Sequence, residues 1–558
     1  MKRWFWLFCC AVVALVMVTG GLLVPAHLRA VEAKVIQMAG EKSRTVIGEG
    51  EALLERKQLG PAQQLLLAAR AEHIAGAEEL GLAVGNFAMK HPRLLTWGGM
   101  DATLERLFQN DPVLEKMGSM PFVEFLVRLE NRGIILDYLE GLPDRVVQNI
   151  LQCRTLTNTV LFPPASSTSG QAMETALALA GLVGRPQYCS TRLREALASL
   201  AQEASRGGNS QRFEQALLDL TSLGQRFNWC QLTVFIGQIE DTETLRHLAR
   251  LARKADAQLP VLFSAVHLSG KPAAVDGYLM EFSQSGLKDL GRSLRYGVGG
   301  LKEMLQRHQR LHEEGWREWL VQYDPFGAFY YAMLGYCWLM PGFALMAKWS
   351  MFLVGGFFLA ASFHFAKPAL PALEQPLQVP GFAVAREFLF ALGFLLVILL
   401  FSEPFLAQES QKVEFPFRLR LPMAGGAVPA GIAQSHPSIM NQLNQLSLLT
   451  LLLFFVLQGL IYTACLVKLA EIRRLAIPPR MKLRLLENED HLFDAGLYLG
   501  FVGTIISLIL VSLGVITPSL MAAYSSTSFG IIFVSILKIF HVRPLRRKLI
   551  LESEANPS

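Results

Sequence analysis

Runs of apolar sequence long enough to cross a bilayer open this chain and crowd its last part, with a long amphipathic stretch between the two groups. In hydrocarbon no water satisfies an open backbone, so runs of this length are restricted to helices. They cover residues 1–25, then fall within 326–366, 383–405, 446–467, 496–518 and 524–541. Of the 558 residues 52% are apolar and only 18% are charged, too little charge for a wholly soluble protein. The expected fold is all-α. It comprises an N-terminal membrane anchor or signal, an exported helical, solenoid-like domain, and a C-terminal polytopic helical membrane domain.

Residues 1–25, MKRWFWLFCCAVVALVMVTGGLLVP, join a basic start to a long apolar run and read as a signal anchor or a signal peptide. Ala26, Ala30 and Ala33 supply small residues suited to cleavage, while the length of the run favours retention. Both readings export residues 34–322. In that domain TRLREALASLAQEA, QRFEQALLDLTSLGQRF, TETLRHLARLARKADAQL and LKEMLQRHQRLHEEGWREWL carry apolar residues at helical spacing. Gly60-Pro61 breaks and restarts an earlier helix. Helix pairs divided by short Gly, Pro and Ser turns suggest a helical-repeat array without a strict repeat signature. The loop at 162–170, FPPASSTSG, is a candidate sub-boundary.

Basic residues set the direction of the later spans. Lys468, Arg473, Arg474, Arg480, Lys482 and Arg484 mark a cytoplasmic loop, and Arg543, Arg546, Arg547 and Lys548 a cytoplasmic tail. Counting back, 406–445 lies outside and 367–382, with Lys367, inside; Arg386 then sits at a cytoplasmic helix end. Pro341-Gly342 interrupts 326–366, which holds one crossing or two. One crossing near 344–365, after an interfacial helix bearing Phe329, Tyr330, Tyr331, Tyr336 and Trp338, leaves 34–322 on the exported side. That agrees with the N-terminal signal. The expected location is the inner (plasma) membrane, multi-pass.

The polar residues offer no soluble catalytic constellation: HExxH, Walker A, GxSxG and a helix-opening GxGxxG do not occur. His308 and His312 stand one helical turn apart, followed by Glu313 and Glu314, a spacing that can bring two imidazoles to one metal. Arg307 and Arg310 crowd them with positive charge, so they read as a solvated helix face. Asp101, Glu105, Asp111 and Glu115 read as ordinary helix charges, and Cys153, Cys189 and Cys230 as buried thiols. No catalytic residue, metal or cofactor is expected. A net charge of +6 without aromatic interleaving does not build a nucleic-acid surface. Glu403, beside Pro404, reads as interfacial, Lys538 as a snorkelling residue, and the spans as lacking paired intramembrane charges.

The closing segment 494–548 reads as two apolar helices joined by a turn, with Gly, Ser and Thr on their facing surfaces. Small and hydroxylated residues let helices approach closely in lipid and also suit the wall of a narrow ion path. Gly500-Phe-Val-Gly503-Thr504 opens the first helix, and Ser525-Ser526-Thr527-Ser528-Phe529-Gly530 enters the second. On these residues the segment 446–548 resembles the MotA/TolQ/ExbB proton-channel family. Gly500, Gly503 and Thr504 match its G-L-x-G-T pattern, and Thr527 and Gly530 its T-A-x-G pattern. The connector GVITPSLMAAYSS resembles the family's short turn. Ser528 and Phe529 replace a smaller pair, and 468–493 is shorter than the family's cytoplasmic extension.

The resemblance implies a homo-oligomeric ring around a single-span, carboxylate-bearing membrane partner, ExbD/TolR-like. It assigns an ion pathway to Thr504, Thr527, Ser526 and Ser528, and helix packing to Gly500, Gly503 and Gly530. The final helix pair carries no mid-membrane carboxylate, so the partner would supply the titrating group. The function expected is that of a subunit in an ion (proton)-driven envelope motor or energy-transducing channel complex. Its helical domain would engage cell wall or another envelope protein. The alternative is a membrane-anchored helical-repeat scaffold for protein partners, with no ion conduction.

Overall fold

The computed structural model describes residues 2–109, 118–313, 315–366, 382–405, 445–512 and 520–555. The expectations for Asp111, Glu115, Glu314, Lys367, the Arg386 side chain, the segment 406–444 and the connector residues 513–519 lie outside what is described. Among the described residues regular structure is almost wholly helical, with two three-residue strands, Ala30–Glu32 and Arg310–His312. The chain divides into two compact units: Ala33–Leu311, the middle unit, and Met1–Glu32 with His312–Ser558, the span unit.

In the middle unit the helical period of the sequence becomes helices Thr191–Ser205, Gln211–Gly224 and Thr242–Lys254. Their starts are set by side-chain caps: Ser190 accepts from the Leu193 N–H and Asp241 from the Thr244 N–H. Gly60 and Pro61 fall in the first turn of helix Leu59–Ala71, where a missing N–H is harmless. Neighbouring helices pack in pairs, such as Val46–Glu55 on Leu59–Ala71 and Leu259–Ser269 on Pro272–Leu294. Trp229, Phe122, Phe213, Phe235 and Phe263 fill the core. The loop at 162–170 is tied in at its start. The buried Glu214 carboxylate accepts the N–H groups of Val160, Leu161 and Phe162. Burial opposes its charge, yet these donors hold its pKa below the usual carboxylate value.

One predicted helix is broken. The sequence runs helical periodicity through Leu301–Leu320, but helix Gly297–Arg307 stops at His308, which takes a left-handed backbone (φ 52°) and returns its N–H to Met304. The strand Arg310–His312 follows, then a short helix, Trp316–Val321. His308 and His312 therefore share no helix face. His308 bonds Glu281 at 2.7 Å, while the His312 ring meets those of His27 and Phe405.

Among the described residues of the span unit, four helices are long and apolar enough to cross a membrane: Arg3–Leu23, Pro341–Phe363, Leu449–Arg474 and Tyr524–Glu554. Shorter apolar stretches, Glu387–Ser402 and Ala495–Ile505, lie in helices Phe382–Ser402 and Ala495–Ser512. Pro341 separates helix Phe326–Leu339 from helix Pro341–Ala366. The N-terminal helix Lys2–Leu23 lies along Pro341–Ala366, which packs on Phe382–Ser402, which packs on Gln445–Arg474. Glycines make the first two contacts close. A Cβ on Gly21 would stand 2.6 Å from the Phe352 ring, and one on Gly356 2.9 Å from Phe394.

Candidate functional site

The helices Ala495–Ser512 and Leu520–Leu537 cross antiparallel at their glycines, Gly496 facing Gly530 and Gly500 facing Ser526 and Thr527. A Cβ on Gly500 would lie 2.7 Å from the Ser526 carbonyl oxygen, and one on Gly530 2.7 Å from that of Gly496. Neither position admits a side chain without moving backbone. This contact brings the two threonines together: the Thr504 and Thr527 hydroxyls are 2.6 Å apart. Each also lies within hydrogen-bond reach of the Gly500 carbonyl oxygen, at 3.1 and 3.2 Å. A hydroxyl donates and accepts, so this pair offers polar continuity without an intramembrane charge.

The other expected pathway residues divide. Ser526 is buried against Gly503, whose Cβ would meet the Ser526 Oγ at 2.5 Å. Ser528 lies on the exposed side of its helix and donates to the Tyr524 carbonyl, away from the threonines. Phe529 packs its ring edge-on to Phe455, at 5.6 Å, rather than between the hydroxyls. A third helix joins this contact through a residue the sequence reading passed over. Gln458, buried in helix Gln445–Arg474, donates its Nε2 to the Gly496 carbonyl at 2.9 Å. Its signal was a lone amide in an apolar run. Below, Lys538 pairs with Asp494 at 2.8 Å and Asp490 at 3.4 Å, so it is tied to the hairpin's entry instead of snorkelling.

A second polar centre overturns one expectation. Glu403, read as an interfacial acid, is buried against protein: its side chain is 2% exposed and pairs at 2.8 Å with Lys348, itself fully buried in helix Pro341–Ala366. The span unit therefore does hold a paired charge within a predicted span. Glu403 also accepts the Leu28 N–H at 2.7 Å, and Lys348 donates to the Ala26 carbonyl at 2.8 Å. Beside it, Arg317 pairs with Glu32 at 2.6 Å, and Tyr330 donates to the same carboxylate at 3.0 Å. Burial opposes the Glu32 charge, but His27, Arg317 and Tyr330 together hold its pKa below the usual carboxylate value.

The middle unit holds no cluster of metal-ligating side chains among its described residues. Asp101, expected to be an ordinary helix charge, is a structural acceptor. It caps helix Ala102–Leu107 and receives the Tyr188 hydroxyl at 2.6 Å and the Trp229 Nε1–H at 2.8 Å. Cys153, Cys189 and Cys230 are buried thiols, each pushed up to about 12 by loss of water. One cavity of about 770 Å³ is lined by Lys57, Lys90, Arg93 and Arg106, with one acid, Glu105, and by Trp97 and Phe108. Such a lining favours an acidic partner.

The chain matches no protein-family model, and comparison with curated proteins and with solved structures finds none similar to it.

Proposed function

We propose that this chain is a subunit of an ion-driven, energy-transducing membrane complex, with the last two helices lining the ion path and the middle unit exported to bind an envelope partner. One observation carries the reading. Thr504 and Thr527, the positions that resemble the MotA/TolQ/ExbB motifs, bring their hydroxyls within 2.6 Å at a glycine-packed antiparallel crossing. In this reading the inner membrane holds a homo-oligomer around an ExbD/TolR-like single-span partner whose carboxylate titrates beside the threonines. The basic cavity of the middle unit suits acidic groups of cell wall or of an envelope protein.

A second reading has its own observation. Both threonine hydroxyls are already bonded inside the hairpin, to each other and to Gly500, as in a pair of helices that only anchors a scaffold. The complex purified in mild detergent separates the two. The ion-driven reading expects a homo-oligomer with a co-purifying single-span, carboxylate-bearing chain. It also expects uncoupler-sensitive proton or sodium flux in vesicles, reduced at least tenfold in Thr504→Val/Thr527→Val at unchanged oligomer mass. No flux from the wild type, or a complex lacking any such partner, favours the scaffold, and flux unchanged in that variant removes the threonines from the path.

A further inference from the structure

We propose that His27 is a proton-transfer site joining the two buried ion pairs of the span unit. It uses none of the hairpin's residues and stands whether or not the hairpin conducts. The imidazole is fully buried, and each of its nitrogens faces one cation and one carboxylate. Nε2 lies 3.4 Å from the Arg317 guanidinium and 3.8 Å from Glu32. Nδ1 lies 3.4 Å from the Lys348 Nζ and 3.8 Å from Glu403. The His312 ring stands edge-on at 5.3 Å, and Tyr330 bonds the far oxygen of Glu32. These groups come from the ring's own segment, strand Arg310–His312, helices Trp316–Val321, Phe326–Leu339 and Pro341–Ala366, and the residue that follows helix Phe382–Ser402.

A neutral imidazole carries one donor nitrogen and one acceptor nitrogen. If Nε2 bears the proton it faces Glu32, and Nδ1 accepts from Lys348. If Nδ1 bears it, Glu403 is faced and Nε2 accepts from Arg317. The two tautomers thus meet matching surroundings, which a purely structural histidine does not require. The two acids and two cations cancel, so the site favours a neutral ring. Burial, the largest influence, also lowers the His27 pKa.

Transfer then balances. A proton from water binds Glu403; its O–H bond breaks as Nδ1–H forms, while Nε2–H breaks as an O–H forms on Glu32. Glu32 releases that proton to water, and the ring ends neutral in the other tautomer. The reverse runs equally. At 3.8 Å the carboxylates must close on the ring by about 1 Å, an adjustment common between resting and reacting geometry. Buried histidines flanked by carboxylates are suited to such shuttling, and buried ionisable groups among membrane helices are functional candidates on physical grounds.

Full-length protein in nanodiscs, labelled with ¹⁵N-histidine, tests this, with His27 identified by the signal lost in His27→Gln. The wild type is expected to show both tautomers in exchange. Glu403→Gln should move the proton toward Nε2 and Glu32→Gln toward Nδ1, each changing the tautomer ratio by about tenfold or more, because one carboxylate near the ring is lost. A single fixed tautomer in the wild type, or the same tautomer in both variants, overturns the proposal. Should either variant fail to fold, a pH titration of the wild type still decides. Ring protonation below the ordinary histidine value of about 6.5, with both tautomers present above it, supports the site. An ordinary midpoint overturns it.

Discussion

The span unit handles polarity among apolar helices in two ways. In the closing hairpin, Thr504, Thr527 and Ser526 are uncharged, and Gly500, Gly503 and Gly530 bring the backbones close enough for hydroxyls and carbonyls to bond. At the other centre, Lys348, Glu403, Arg317 and Glu32 are charged and buried around His27. The hairpin is local, made by two helices adjacent in sequence. The charge cluster is assembled from positions 27, 32, 317, 348 and 403, so it exists only once the helices have packed. The difference predicts where the unit is fragile: hydroxyls can re-pair within their own helix, whereas a buried charge stripped of its partner has no such recourse.

The largest effect therefore belongs to the cluster. Lys348→Met leaves the buried Glu403 carboxylate without its cation and should destabilise the unit by about 3–5 kcal/mol, measured by denaturant unfolding in detergent. Lys348→Met/Glu403→Leu should recover most of that loss, since removing both charges removes the desolvation penalty as well. If the single and double variants were equally unstable, packing rather than charge would hold this region, and the contrast with the hairpin would fail.

Next is the glycine contact. Gly500→Leu sets a side chain against the Ser526 backbone, where even a Cβ would be 2.7 Å away. Forcing the helices apart should cost about 1–3 kcal/mol. The loss is read by denaturant unfolding in detergent against wild type. Unaltered stability would mean that the crossing lies elsewhere.

Acid should weaken the cluster in a defined order. Burial lowers the His27 pKa, so above about pH 6.5 the ring is neutral in both folded and unfolded chains and pH has no effect through it. As pH falls below that value the unfolded chain takes up a proton that the folded chain refuses. Stability then drops with a slope of up to about 1.4 kcal/mol per pH unit. Glu32, held below the usual carboxylate value, adds a second loss below about pH 4.5. His267 in the middle unit, also lowered by burial, contributes with the same sign, so the test is the difference between wild type and His27→Gln. The variant should lose the upper part of the slope and keep the lower.

The local parts of this architecture were legible in the sequence and the assembled parts were not. The period in TRLREALASLAQEA marks a helix because its apolar residues recur on one face, and Ser190 caps it. Gly500, Gly503 and Thr504 were visible because small and hydroxyl residues stand out in an apolar run. The helix carried through His308 failed because no Gly or Pro marks the stop, which depends instead on a left-handed histidine. Lys348 was the missed signal of the cluster. A lysine within the first third of an apolar helix needs a counter-charge, but nothing local says that Glu403, 55 residues away, supplies it.

The smallest effect sharpens the contrast most. Thr504→Val/Thr527→Val removes a hydrogen bond between two helices that glycine packing already holds together. Interhelical hydrogen bonds among membrane helices average about 0.6 kcal/mol, so unfolding should shift by about 1 kcal/mol or less. A loss near that of Lys348→Met would make the hydroxyl pair a structural keystone and remove the reason to look for a further role in it. A small loss of stability joined to a large loss of ion flux would assign the pair to conduction, because the two measurements then separate what holds the helices together from what passes between them.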